Sequence, residues 1–143
     1  MVTIRHAIRI AASRADTFRA LTDIDEMAAW HLGSVDGAIA PGTVLHLAPR
    51  PDLRFGWRTD ALEPQATIVQ TCVEGPRTSL GKTLTIALSD TDDDRTLVEL
   101  GDGEWPEDDP HLPFCNTYWG EALNRLRSYL ERTAVDEPDG DWP

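Results

Sequence analysis

The stretch that most constrains this chain is FCNTYWGEALNRLRSYLE, residues 114–131. Cys115, Tyr118, Trp119, Ala122, Leu123, Leu126, Tyr129 and Leu130 recur there at spacings of three and four. Asn116, Glu121, Asn124, Arg125, Arg127 and Glu131 fill the other side. This pattern predicts an amphipathic helix with a broad apolar stripe. A stripe that carries a phenol and an indole has to be covered, and what precedes it offers mainly strands to cover it.

Val2, Ile4, Ile8 and Ile10 recur at period two, with His6 as the odd member of that face, and predict a half-buried strand. Ser13 and Asp23 each stand where a helix N-cap belongs, so two short helices follow, the second ending near Trp30 and Gly33. From Gly33 to Gly103 the period is that of strands, expected near 34–39, 43–49, 54–63, 66–74, 81–89 and 95–101. Phe55, Trp57, Thr59 and Ala61 should share one face of their strand. Ile68, Gln70 and Cys72 share another, and Leu84, Ile86 and Leu88 a third. GEWPEDDPHLP reads as an acidic, Pro-rich loop. The order is strand, two helices, six strands and one long helix. It points to an α+β fold with the helix laid across the inner face of an antiparallel sheet. We expect one domain over 1–133 and an acidic tail over 134–143 that frays, with Trp142 its one residue able to dock.

Bulk properties narrow the function. With 143 residues the chain can bury one sizeable core, and its net charge of −12 repels phosphate backbones and anionic membranes. Nucleic acid and membrane insertion are therefore not expected. The N-terminus has no apolar run of the signal-peptide kind, and Cys72 and Cys115 form no disulfide framework, so a cytoplasmic protein with reduced thiols is expected.

The motifs that resemble chemistry mostly fail on spacing. GPRTSLGKT has five residues between Gly75 and Gly81 where a phosphate-binding loop has four, and Lys82 opens a strand rather than a helix. DTDDD places Asp90, Asp92 and Asp94 as in a calcium loop, but Arg95 stands where Gly is needed and Gly101 where Glu is needed. The histidines and cysteines show no paired metal-ligand spacing, and no cofactor is expected. Cys115 and Cys72 have no neighbouring base, and in an apolar stripe a thiol is inert. His6 is either a satisfied core histidine or a pocket group able to act near neutrality, and His31 is read as a helix-end cap. Trp30, Trp57, Trp105 and Trp119 either fill a core or line an aromatic cavity. Gly120, inside the final helix, costs about 1 kcal/mol relative to Ala and implies a close neighbour.

IRIAASRADTFRALTDIDEMAAWH, the hairpins with ALEP, then TLVELGDGEW and YWGEALNRLRSYLE together resemble the START-like (SRPBCC) helix-grip superfamily, also called birch-pollen-allergen-like. The branch is the one named after the activator of heat-shock-protein-90 ATPase, and the resemblance runs from Ile4 to Glu131. It implies a seven-stranded antiparallel sheet gripping a long C-terminal helix, with two short helices and an enclosed hydrophobic cavity. Trp30 matches the Trp that ends the second helix, Leu62, Glu63 and Pro64 match a strand-end turn, and Trp119 and Leu123 match the inward face of the last helix. Superfamily members bind lipids, sterols, polyketides or plant metabolites, and some are cyclases or hydrolases.

The leading expectation is therefore a protein that binds a hydrophobic or amphipathic small molecule. Phe55, Trp57, Ile86, Cys115, Tyr118 and Trp119 would line the cavity, joined by Trp30 and Cys72. Trp105 with His111 would form a lid, and Tyr118 and His6 would orient the ligand. The alternatives are an enzyme of cyclase or hydrolase type using His6 or Tyr118 as acid or base, and a chaperone-regulating interaction module. The resemblance also leaves a homodimer open.

Overall fold

The period-two segments assemble into one antiparallel sheet. In the computed structural model, which describes residues 1–132, β1 (Val2–Ile10) leads to α1 (Arg14–Thr22) and α2 (Ile24–Trp30). Then come β2 (Ser34–Gly37), β3 (Val44–Arg50), β4 (Leu53–Glu63), β5 (Thr67–Glu74), β6 (Thr83–Asp90), β7 (Thr96–Trp105) and α3 (Leu112–Leu130). The seven strands lie in the order β1-β7-β6-β5-β4-β3-β2. The expected tail at 134–143, with Trp142 and its boundary at 133, lies outside the described residues. Among those described, no helix is long and apolar enough to cross a membrane.

Local chemistry sets the ends of the short helices. Ser13 Oγ accepts the Asp16 backbone N–H at 3.0 Å, and Asp23 Oδ1 accepts those of Asp25 and Glu26 at 2.9 and 3.2 Å. Each cap satisfies donors that the first turn leaves orphaned. The inward faces of the strands bury Ile4, Ile8 and Ile10, Leu45 and Leu47, Leu84, Ile86 and Leu88, and Val98 and Leu100. Gln70 sits among them because its Nε2 donates to Thr59 Oγ1 at 3.3 Å. That pairing reduces the cost of burying both polar groups.

Two expectations are corrected. First, β7 runs on to Trp105 instead of giving way to a loop after Gly101. Gly101 and Gly103 look like turn residues, yet a Cβ on Gly103 would lie 2.9 Å from Thr3 Oγ1 and 3.1 Å from Thr3 Cα. The glycine thus lets β1 cross closely, and Val2 pairs with Trp105. Second, Ala61 does not share the face of Phe55, Trp57 and Thr59. The β4–β5 register shifts between Thr59 and Ala61, so Asp60 is an extra residue, Leu62 pairs with Ile68, and Ala61 is exposed. One residue inserted at a bulge exchanges the two faces of a strand.

The stripe of α3 behaves as its spacing requires. Trp119, Ala122, Leu123 and Leu126 are buried, and Cys115, Tyr118, Tyr129 and Leu130 are partly buried against the same core. Full burial of a side chain such as Leu126 contributes about 1.5–3 kcal/mol. Two hydrogen bonds fix the far end of the helix. Tyr129 Oη donates to Glu26 Oε1 at 3.0 Å, and the Ala11 N–H donates to Glu131 Oε2 at 2.6 Å.

The neighbour that Gly120 makes room for is His6, since a Cβ at position 120 would stand 3.2 Å from His6 Cε1. Gly120→Ala should gain about 1 kcal/mol of helix propensity in a His6→Ala background and clearly less in the native one. Urea unfolding of the four proteins in the cycle checks this. An equal gain in both backgrounds would show that His6 is not the constraint.

Candidate functional site

Where the first half of α3 crosses the sheet, three elements and a loop enclose a cavity of about 20 Å³. β4 supplies Phe55 and Trp57, β7 supplies Asp102 and Trp105, and α3 supplies Cys115, Tyr118 and Trp119. Ser79 and Lys82 enter from the β5–β6 connection. The Trp57 and Trp119 rings meet edge-on at 6.1 Å between centroids, Tyr118 and Trp119 at 4.9 Å, and Phe55 stacks on Tyr118 at 6.4 Å. A volume of about 20 Å³ accommodates one water-sized group. Pockets for metabolites run to about 300–1,000 Å³. In this conformation the aromatic rings themselves fill the space between helix and sheet.

At the sheet side of the cavity lies a carboxyl. Asp102, 3% exposed, faces inward from β7, and Trp119 Nε1 donates to its Oδ2 at 2.9 Å. Burial pushes the Asp102 pKa up, against the opposing effects of the Trp119 hydrogen bond, the nearby Trp105 indole and the Lys82 charge. Its other oxygen, Oδ1, is buried without a hydrogen-bond partner among the described residues, and so is Trp105 Nε1. The Trp105 N–H is thus close enough to influence the carboxyl while standing outside hydrogen-bonding geometry. Lys82 Nζ lies 4.3 Å from the centroid of the Trp105 ring, a cation–π contact.

On the opposite side, Tyr118 Oη and His31 Nε2 share a hydrogen bond of 2.5 Å. Burial lowers the His31 pKa, the Arg125 charge acts the same way, and the Leu32 backbone opposes them. Burial likewise raises the Tyr118 pKa. Both groups are therefore neutral at neutral pH, which makes this a structural latch between α2 and α3 rather than an ion pair.

The structure brings together Phe55, Trp57, Trp105, Cys115, Tyr118 and Trp119 from the expected set and leaves the others out. Trp30 is buried at the end of α2, where its Nε1 donates to the Ala20 carbonyl at 2.8 Å. Cys72 and Ile86 belong to the sheet core, with Cys72 Sγ 3.4 Å from the Glu74 carbonyl oxygen. His6 points inward as expected, but at the edge strand, where it meets the flank of α3 and shares a 2.9 Å hydrogen bond with Asn116 Oδ1. His6 and Tyr118 therefore do not converge, and an acid–base pair built on them has no geometric basis. Trp105 is no lid: at 1% exposure it is part of the cavity floor, while His111 is exposed at the start of α3.

Sequence reasoning missed Asp102, Lys82, Ser79 and the true partner of His31. The available signal was register: Asp102 continues the inward series Thr96, Val98, Leu100. Burial pushes the Cys72 and Cys115 thiols each up to about 11 from an ordinary 9.0, which favours the unreactive protonated form. At pH 7.5 both should alkylate with iodoacetamide about a hundredfold more slowly than a free cysteine, in proportion to their thiolate fraction. Mass spectrometry of timed aliquots measures this, and a thiol that reacts at the free rate would refute it.

The model of the protein family described as activator of Hsp90 ATPase homolog 1-like protein matches residues 11–131. The solution structure of the Aha1 dimer from Colwellia psychrerythraea is similar to this chain with a TM-score of 0.85 and 25% identity, covering 94% of this chain and 100% of that one. A crystal structure of the protein MLL2253 from Mesorhizobium loti is similar with a TM-score of 0.80 and 20% identity, over 94% and 100% of the two chains. DynU16, a protein in the dynemicin biosynthetic locus, is similar with a TM-score of 0.76 and 17% identity, over 92% of this chain and 48% of that one. The last two likenesses show the fold alone. No curated protein matches the chain.

Proposed function

The chain belongs to the family of activator of Hsp90 ATPase homolog 1-like proteins, and from that premise we propose that it binds a hydrophobic or amphipathic small molecule between α3 and the sheet. One observation carries this reading. Five aromatic rings from three elements meet around a buried carboxyl that keeps one oxygen unpaired. A core that only needs filling gains nothing from such a group, because a buried polar atom without a partner costs stability. A protein of the same fold in the dynemicin biosynthetic locus agrees with the handling of small molecules.

A ligand enters by displacing rings. Phe55 and Tyr118 are partly exposed and stand at the open side, and Tyr118 is held by the His31 hydrogen bond and its ring contacts. Releasing one hydrogen bond costs about 1 kcal/mol, and each aromatic pair about 0.5–1.5 kcal/mol beyond its burial. An open minor state a few kcal/mol above the closed one is within reach of a ligand that prefers it. A homodimer, as in the Colwellia protein, is part of the same proposal.

Native mass spectrometry tests both parts. The expected spectrum shows a small molecule retained from the host, or added from a panel of fatty acids, sterols and aromatic polyketides, at one per chain. The protein itself should appear at twice 15.9 kDa. Bare protein across the whole panel would refute ligand binding, and a mass of 15.9 kDa at micromolar concentration would refute the dimer.

A further inference from the structure

Resting on that reading, we infer that the inner end of the cavity is a subsite for a neutral hydroxyl, phenolic or alcoholic, bound between Asp102 and Trp105. The two atoms left without partners there are of opposite kind. Asp102 Oδ1 is an acceptor and Trp105 Nε1 a donor, their residues are 3% and 1% exposed, and both line the same cavity. A hydroxyl is the smallest group that donates to one and accepts from the other. The void of about 20 Å³ between the rings matches a group of that size without any rearrangement of the floor.

Charge excludes the other common head groups. A carboxylate or phosphate would stand against the Asp102 carboxylate where water cannot screen the repulsion. Lys82 does not reverse this, since its ammonium already lies over the Trp105 ring and balances Asp102. An ammonium head would meet Lys82 on the ring face it needs. An apolar end would leave both polar atoms buried and unpaired, as they are now. The preferred ligand is thus an aromatic or polycyclic body ending in an uncharged hydroxyl.

Three probes that share one ring system separate these cases: 2-naphthol, naphthalene and 2-naphthoate. Binding is read at pH 7.5 by calorimetry and by the indole N–H resonances of the full chain. We expect 2-naphthol to bind at least about tenfold more tightly than either analogue, as follows when a site's buried polar atoms go unpaired or face a like charge, and to shift the Trp105 N–H. Asp102→Asn should narrow the gap between naphthol and naphthoate, and Trp105→Phe the gap between naphthol and naphthalene. If one variant fails to fold, the other and the native comparison decide. Equal binding of naphthol and naphthalene would overturn the subsite while leaving the cavity reading intact. Failure of all three probes on a protein that also stays bare in the native spectrum would overturn the subsite together with the reading beneath it.

Discussion

The hydrogen bond from the Trp119 indole to the buried Asp102 carboxyl is the contact on which the rest of the site depends. A carboxyl taken out of water must be compensated, and here one N–H from the helix supplies the hydrogen bond to Oδ2. The bond fixes the rotation of α3. With Trp119 turned down onto β7, its ring meets Trp57 on one side and Tyr118 on the other. One turn toward the N-terminus, Cys115 joins the same lining. Tyr118 is then left at the angle from which its hydroxyl reaches His31 at the end of α2. Sheet, final helix and second helix are in this way tied through one line of side chains.

The fold was largely legible in the sequence because it follows from local rules. Period-two alternation places Ile4, Leu84 and Val98 inward, three-and-four spacing gives α3 its stripe, and Ser13 and Asp23 announce their helices. What escaped these rules was set by contacts between distant segments. Gly103 looks like a turn until Thr3 is laid across it, and nothing local to β4 marks Asp60 as a bulge. The site was half legible. Phe55, Trp57 and Trp119 are large rings at inward positions, so pattern alone finds them. His6 is also inward, but it belongs to an edge strand, and facing the core there means facing the flank of a helix. Asp102 was hidden by its setting in ELGDGEW, where glycines and acids suggest a turn.

Burial holds the titratable side chains of this interior toward their uncharged forms. Its two thiols are held in the protonated form by burial, its histidine and tyrosine latch is neutral, and no three metal-ligating side chains cluster among the described residues. Among the buried polar atoms without partners, Asp102 Oδ1 and Trp105 Nε1 are an acceptor and a donor beside a space for one small group. The chain's net charge of −12 is of the sign that repels polyanions in general.

The coupling between helix and sheet is read by titrating the Asp102 carboxyl with carbon-detected NMR while following the Trp119 indole N–H. Burial should raise the Asp102 pKa above its ordinary value, and the Trp119 indole resonance should move with the same midpoint. An ordinary aspartate titration, or a Trp119 resonance indifferent to it, would show that this hydrogen bond does not hold α3 to the sheet.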